Sequence, residues 1–301
     1  MKVLEITDNE YPERLVSIKN PPKKLYAEGN IKLLKNNSIA IVGARKCTEY
    51  GVKYTKKFTK EIADCGVTII SGLAMGVDSV AHEIATECIG NTIAVLGCGL
   101  NQIYPKENIW LFNLILKNNG CVISEYPPDT QAFMRNFPKR NRIISGLAMG
   151  ILVVEAKYRS GTTITAKYGF EQNRKVFCLP RNIGEINGVG SNNLIKMGAK
   201  LVTEPKEILN ETGIISNKNN KSKKSKKTEI NKNYEESEVN GESQIDENLK
   251  EIYDLISYVP KNINYIATES KCEISSINQK LLILELKGYI KSLPGNNYVR
   301  C

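Results

Sequence analysis

Histidine is almost missing from this chain: among 301 residues there is one, His82. A single imidazole leaves little for a zinc site, and the eight cysteines (47, 65, 88, 98, 121, 178, 272 and 301) form no C-x-x-C pair that would supply one. Scattered thiols without an export signal also argue against a disulfide framework. They read instead as small, inert buried hydrophobes. No apolar run approaches the ~20 residues needed to cross a bilayer, and "MKVLEITDNEYPERL" lacks the apolar stretch of a signal peptide. The sequence therefore leads us to expect a cytoplasmic protein without metal or cofactor.

Charge is present in excess. The net charge is +10. Residues 216–247 balance seven lysines against seven acids, so most of the excess falls on residues 1–215. A basic folded part points to a polyanionic partner.

From Ser38 onward, short apolar runs alternate with amphipathic segments: "SIAIVG", "VTIISG", "TIAVLG", "CVISEY", "ILVVEA", "KVFCLP" and "AKLV". Near-continuous Ile/Val strands imply burial on both faces, hence a parallel sheet between helices. The expected fold class is α/β, an extended Rossmann-like, doubly wound, mostly parallel sheet. Four regions are expected. Residues 1–37 are an extension packing on the core, 38–210 the Rossmann-like domain, 211–247 a flexible charged linker, and 248–301 a small winged-helix domain. The last rests on three helical stretches followed by "YIKSL-PGNN-YVRC", two short strands about a Pro-Gly turn.

In such a sheet all strand C-termini share one edge, and ligands bind there. The turns at that edge supply the candidate site: Gly43 and Arg45 in "GARKCTEYG", Ser71, Gly72 and Gly76 in "SGLAMG", Gly97, Gly99 and Lys106 in "GCGLNQIYPKEN". Lys139, Arg140 and Arg142 in "FPKRNR" and Ser160 and Gly161 in "RSGTT" complete it. Glycine lets an anion approach the backbone, and a turn leading into a helix aims free N–H groups at it. On a helix, 139 and 142 share a face while 140 turns away, which leaves an internal ion pair open to Arg140. Tyr104, Tyr126 and Phe137 lie near these charges, placed to stack on unpaired bases or, for Phe137 above all, to pack inside. No G-x-G-x-x-G follows the first strand, which argues against ordinary NAD binding.

The octapeptide "IISGLAMG" occurs twice, at Ile69–Gly76 and Ile143–Gly150. The first copy closes a strand at the ligand edge; the second joins a helix to the N-terminal end of a strand, with Gly150 as a helix cap and Ser145 and Gly146 in packing. His82 and Asp78 share a helix, and a structural hydrogen bond holding the loop outweighs a catalytic pair, since no nucleophile is placed for them. Ser160 lacks the G-x-S-x-G elbow and reads as an N-cap. The start of the third C-terminal helix, "EISSINQK", is poor in base, which favours protein contact over major-groove reading.

The segments "IAIVGARKCTEYG", "SGLAMGVDSVAH", "TIAVLGCGLNQIYPKEN", "SEYPP", "FPKRNRIISGLAMGILVVEA", "SGTTITA" and "GSNNLIKMGAKLV" resemble, in order and spacing, the DprA/Smf (DNA processing A) family over about residues 5–210. The tail is similar to that family's winged helix. The resemblance implies a homodimer that binds single-stranded DNA, protects it and loads RecA recombinase onto it past single-strand binding protein during natural transformation. It also implies DNA contact by Arg45, Lys106 and the group Lys139, Arg140 and Arg142, with no catalytic residue. Arg181 stands where the family usually has glycine, as an added phosphate contact or an altered turn. Leu194, Ile195 and Met197 serve either a two-fold interface or the core. The alternative is a phosphoribohydrolase-like nucleotide-processing enzyme on a related fold, against which "SGTTITA" lacks the glutamate such enzymes use. A winged-helix transcription factor is a weaker third.

Overall fold

The computed structural model describes residues 1–214, 247–257, 260–270, 272 and 274–300. Most of the expected linker, 211–247, lies outside the described residues. The chain divides into two compact units, Met1–Lys224 and Ser225–Cys301.

The first unit opens with β1 (Lys2–Glu5), α1 (Glu13–Val16), β2 (Lys24–Gly29), β3 (Ser38–Val42), α2 (Glu49–Asp64), β4 (Thr68–Ser71) and α3 (Val77–Ala85). It continues with β5 (Thr92–Leu96), α4 (Ile109–Lys117), β6 (Cys121–Ser124), α5 (Asn136–Leu147) and β7 (Gly150–Val153). It closes with α6 (Gly161–Glu171), β8 (Lys175–Cys178), α7 (Val189–Lys196), β9 (Lys200–Leu201) and α8 (Pro205–Glu211). One sheet runs in the order β1-β2-β6-β5-β4-β3-β7-β8-β9. Strands β3 to β9 are mutually parallel.

Their sequences explain this. Every residue of β3 and β5 is buried, as strands covered on both faces must be. Each fully buried isoleucine, Ile39 and Ile41 among them, contributes roughly 1.5–3 kcal/mol. Helices α1, α5, α6 and α7 cover one face; α2, α3, α4 and α8 cover the other.

The N-terminal extension does more than pack on the core. Its β2 pairs antiparallel with β6, Tyr26 opposite Ser124, and β1 pairs with β2. Leu15 and Ile18 press on α5 so closely that a Cβ on Gly146 would lie 2.8 Å from Leu15. The β6 edge of the parallel sheet is thereby covered.

The chain winds from β3 outward through β4, β5 and β6, then returns to β7 on the other side of β3. The turns after β3 and β7 leave in opposite directions. The crevice between them is where ligands enter sheets of this kind.

The two octapeptides have different structures. Ile69–Ser71 ends β4 and the rest is loop, whereas Ile143–Leu147 is helical in α5. Gly150 does not cap that helix: Ala148 occupies the C-cap and Gly150 begins β7. The cysteines also divide. Cys98, Cys121 and Cys178 are buried, with burial pushing Cys121 and Cys178 up to about 12, but Cys65 at the end of α2 is exposed, because it follows the last apolar position facing the sheet.

The second unit contains α9 (Glu247–Leu255), β10 (Lys261–Asn262), α10 (Ile263–Ser270), α11 (Ile274–Leu286), β11 (Ile290–Leu293) and β12 (Asn297–Arg300). Its sheet runs β10-β12-β11. The short β10 is an addition to the expected three helices and hairpin. Ile252, Ile266, Ile277, Leu281 and Leu284 form its core.

Candidate nucleic-acid interface

A groove of ≈ 360 Å³ opens at the switch point, lined by the turn after β3 (Gly43, Ala44, Arg45, Lys46), the approach to α5 (Met134, Phe137, Arg140) and the turn into α6 (Lys157, Ser160, Gly161, Thr162). A second hollow of ≈ 260 Å³ shares Arg45, Ala74, Phe137 and Arg140 and adds Gly72, Met75, Tyr104 and Glu107. The two form one continuous depression along the C-terminal edge of the sheet. Arg45, Lys46 and Lys157 are exposed, and among the described residues none of them pairs with a carboxylate within 4 Å.

Its floor is built from Gly72 and two buried polar side chains, Asp78 and Arg140. Gly72 N–H donates to Asp78 Oδ2 at 3.1 Å, while Arg140 donates from Nη1 to the carbonyls of Gly72, at 2.8 Å, and Val95. A Cβ on Gly72 would lie 2.8 Å from both Arg140 Nη2 and Asp78 Oδ2. Burial pushes the Arg140 guanidinium down to about 10, with Asp78 opposing the shift. It stays cationic at neutral pH. Burial likewise raises the Asp78 carboxyl against the pull of Arg140. Arg140 therefore gives the floor positive charge while its hydrogen bonds go to the protein.

His82 is fully buried beneath this floor. Its Nε2 accepts from Leu73 N–H at 3.4 Å, which leaves Nδ1 as the donor to Thr92 Oγ1 at 2.7 Å. Thr92 Oγ1 in turn donates to Ile69 O at 2.9 Å. The chain of bonds assigns the Nδ1–H tautomer. Burial first, and Arg140 second, push the imidazole down to about 3. His82 is thus a neutral pin for the loop, with Thr92 rather than Asp78 as its partner.

On the far side, Ser160 occupies the N-cap of α6 but its side chain makes no capping bond. Its hydroxyl oxygen is buried without a partner among the described residues. Beside it Gly161 faces open space, with nothing within 4 Å of where a Cβ would stand. The α6 N–H groups and the positive end of its dipole are presented to the groove.

The remaining sequence candidates are placed as follows. Lys106, at the start of a short 3-10 turn, and Lys139 on α5 are exposed at the same edge but outside the lining. Ser71 is fully buried, its hydroxyl donating to Ile41 O at 2.6 Å, so it is a strand clasp rather than a ligand contact. Gly97 lies beneath the Phe137 ring and Gly99 against the carbonyls of Pro127 and Pro128. Both make room for protein, not for an anion. Gly76, at φ +81°, admits the carbonyls of Ala44 and Arg45, which a Cβ would meet at 2.3 and 2.5 Å; it holds the basic turn without touching the groove.

Three expectations about charge and contact are corrected. Arg142 does not face outward with Lys139: it makes a forked pair with Glu125 and donates to Asn20 O at 3.0 Å, clamping the N-terminal extension. It is Arg140, expected to turn away, whose guanidinium reaches the glycine loop. Arg181 makes no groove contact. It pairs with the buried Glu155 at 3.0 Å and with Glu185, stacking on Tyr50 at 4.3 Å. Of the interface candidates, Leu194 is core, Ile195 packs against the same core, and Met197 is exposed.

Lys46 and Lys157 escaped the sequence reading. Their only signal was position, one residue past Arg45 and three before Ser160. Phe137 is half-buried, with Tyr104 5.4 Å from it, ring to ring.

Among the described residues no group of three His, Cys, Asp or Glu side chains is arranged to hold a metal ion, and no helix is long and apolar enough to cross a membrane.

Fold and site together define a two-unit protein, a doubly wound α/β unit with a cationic, aromatic-edged switch-point groove, followed by a winged helix. The chain belongs to the DNA recombination-mediator protein A family, which it matches over residues 2–213, with the DprA winged-helix domain at 239–296. It is 47% identical to Protein Smf of Escherichia coli over 66% of this chain and 53% of that protein, so it spans about half the length of that relative. It is 40% identical to the DNA processing protein DprA of Bacillus subtilis, over 70% of this chain and 71% of the relative. The structure of DprA from Streptococcus pneumoniae superposes with a TM-score of 0.66 at 41% identity, covering 70% of this chain and 74% of the other. DprA from Helicobacter pylori, a structure described as showing a single-stranded DNA binding mode, gives 0.63 at 30% identity over 70% and 95%.

Proposed function

We propose that this protein binds single-stranded DNA along the C-terminal edge of its sheet and acts there as a recombination mediator, protecting incoming strands and handing them to RecA recombinase in the cytoplasm of a transforming cell. One observation carries the reading: the switch-point groove gathers Arg45, Lys46 and Lys157, the uncapped α6 N-terminus and the Tyr104–Phe137 ring pair into one depression. Cations and helix termini take phosphates, and ring faces take bases that no partner strand occupies. The single-stranded DNA named for the Helicobacter pylori relative supports the same ligand. Homodimerisation, contact with single-strand binding protein and the hand-over to RecA belong to the proposal through family membership.

The test is oligonucleotide affinity as a function of salt. For a single strand each neutralised phosphate adds roughly 0.7 to the slope of log K against log salt. We expect a slope above about 2 for the three exposed cations, reduced by Arg45→Glu. A slope near zero, or a free base or sugar released from a nucleoside monophosphate, would overturn the reading.

A further inference from the structure

Exposed aromatic rings in the first unit are not scattered. Among its described residues four are exposed: Tyr104 at 41%, Trp110 at 50%, Phe133 at 49% and Tyr158 at 60%. Tyr104 follows β5, Trp110 sits in the first turn of α4, Phe133 precedes α5 and Tyr158 precedes α6. Each of these positions lies at the C-terminal edge of the sheet. Single exposed apolar residues need no explanation; four rings confined to one edge do.

Two of the rings carry their own cation. Arg135 lies over Phe133 at 5.5 Å and Arg159 over Tyr158 at 5.2 Å. Among the described residues neither arginine pairs with a carboxylate within 4 Å. Arg159 also holds φ +52°, a left-handed conformation uncommon for a side chain of this kind. Such outliers gather at ligand clamps, held there by their surroundings. The two pairs border one groove, since Met134, between Phe133 and Arg135, and Lys157, beside Tyr158, both line it.

We infer that Phe133–Arg135 and Tyr158–Arg159 are two base-stacking stations beyond the groove floor, each taking one unpaired nucleotide, its base on the ring and its phosphate on the guanidinium. The inference rests on the proposed single-strand reading and adds the specificity device. A duplex hides its base faces in its own stack, so ring stations reward a strand only when it is unpaired.

The test uses the full chain and two labelled probes of equal length, oligodeoxythymidine and an abasic deoxyribose-phosphate oligomer. The double variant Phe133→Ala/Tyr158→Ala is expected to bind oligodeoxythymidine at least roughly tenfold more weakly, since each base stack is worth about 5- to 150-fold. It should bind the abasic oligomer as the parent does. Tyr158→Phe should retain parent affinity for both. Equal affinity of parent and double variant for oligodeoxythymidine would overturn the inference, as would an equal loss on the abasic oligomer, which would assign the rings to shaping the loops. A parent chain that binds neither probe at low salt would instead bring down the functional reading beneath it.

Discussion

Arg140 Nη1 donates to the carbonyl oxygen of Gly72 at 2.8 Å and, from the same atom, to that of Val95. One side chain from α5 thus ties the glycine loop to the end of β5 across the sheet edge. Arg45, which lines the same depression, is exposed. The two arginines share a groove and differ in what their loss removes.

Arg140→Ala should cost stability, because it takes a charged donor from two buried carbonyls and removes the cation that attracts the buried Asp78 carboxyl. Breaking a buried charged network costs about 3–5 kcal/mol. Urea denaturation should show this as a midpoint shift at unchanged slope. Arg45→Glu should leave the midpoint unchanged and weaken oligonucleotide binding on the order of tenfold, the scale of one charged contact. An Arg140→Ala protein of parental stability would remove that residue from the floor.

Arg142 and Glu125 make a separable prediction. The bond to Asn20 O holds the N-terminal extension to α5, while the forked pair ties α5 to the turn after β6 and fixes the guanidinium, so Arg142→Ala should loosen the extension by roughly 1–3 kcal/mol. Amide exchange should quicken at residues 17–27, with β2 affected most. Oligonucleotide affinity should stay within about twofold, the effect expected when a rim charge is not in the contact set. A large affinity loss with undisturbed exchange would return Arg142 to the interface.

What the sequence made legible follows from the range of each interaction. The seven parallel strands were readable because double-sided burial demands continuous apolar runs, and "SIAIV" or "TIAVL" satisfies that locally. The octapeptide copies show the limit: the same eight residues end a strand in one place and close a helix in the other, so their neighbours decide. The extension strands "KVLE" and "KLYAEG" interleave charged residues with their apolar ones and are buried only in part, so they lack the continuous run that announced the others. Partners far apart in the chain were also hidden. Nothing near Arg142 names Glu125, and nothing near Arg181 names Glu155. Glycine was over-read for its freedom: Gly97 and Gly99 are small because Phe137 and a proline carbonyl pair lie against them.

Two glycines, one behind the basic turn and one at the mouth of the groove, should behave oppositely. Gly76→Ala meets the carbonyls of Ala44 and Arg45 at a positive φ and should destabilise by about 2 kcal/mol or more. Gly161→Asp enters open space at the start of α6. There a carboxylate gains up to about 1 kcal/mol from the helix dipole while repelling a phosphate. Thermal melting and oligonucleotide titration together should therefore show Gly161→Asp at least as stable as the parent yet weaker in binding. Undiminished binding by that variant would place the strand's path away from the α6 terminus.

His82 should write a pH dependence into stability. Its folded imidazole is pushed down from 6.5 to about 3, so between those values the unfolded chain carries one more proton than the folded one. Stability from this group is complete above about pH 6.5 and falls as the pH drops toward about 3, with a limiting slope of about 1.4 kcal/mol per unit. Asp78, whose carboxyl burial pushes up, titrates in the opposite sense and is common to parent and variant, so the comparison is a difference. His82→Gln removes the titrating ring while keeping an acceptor for Leu73 N–H. Urea unfolding at pH 7.5 and pH 5 should show the parent losing roughly 2 kcal/mol more than the variant. A difference that stays constant between the two pH values would mean that the ring is protonated in the folded protein, and that it does not pin the loop as a neutral acceptor.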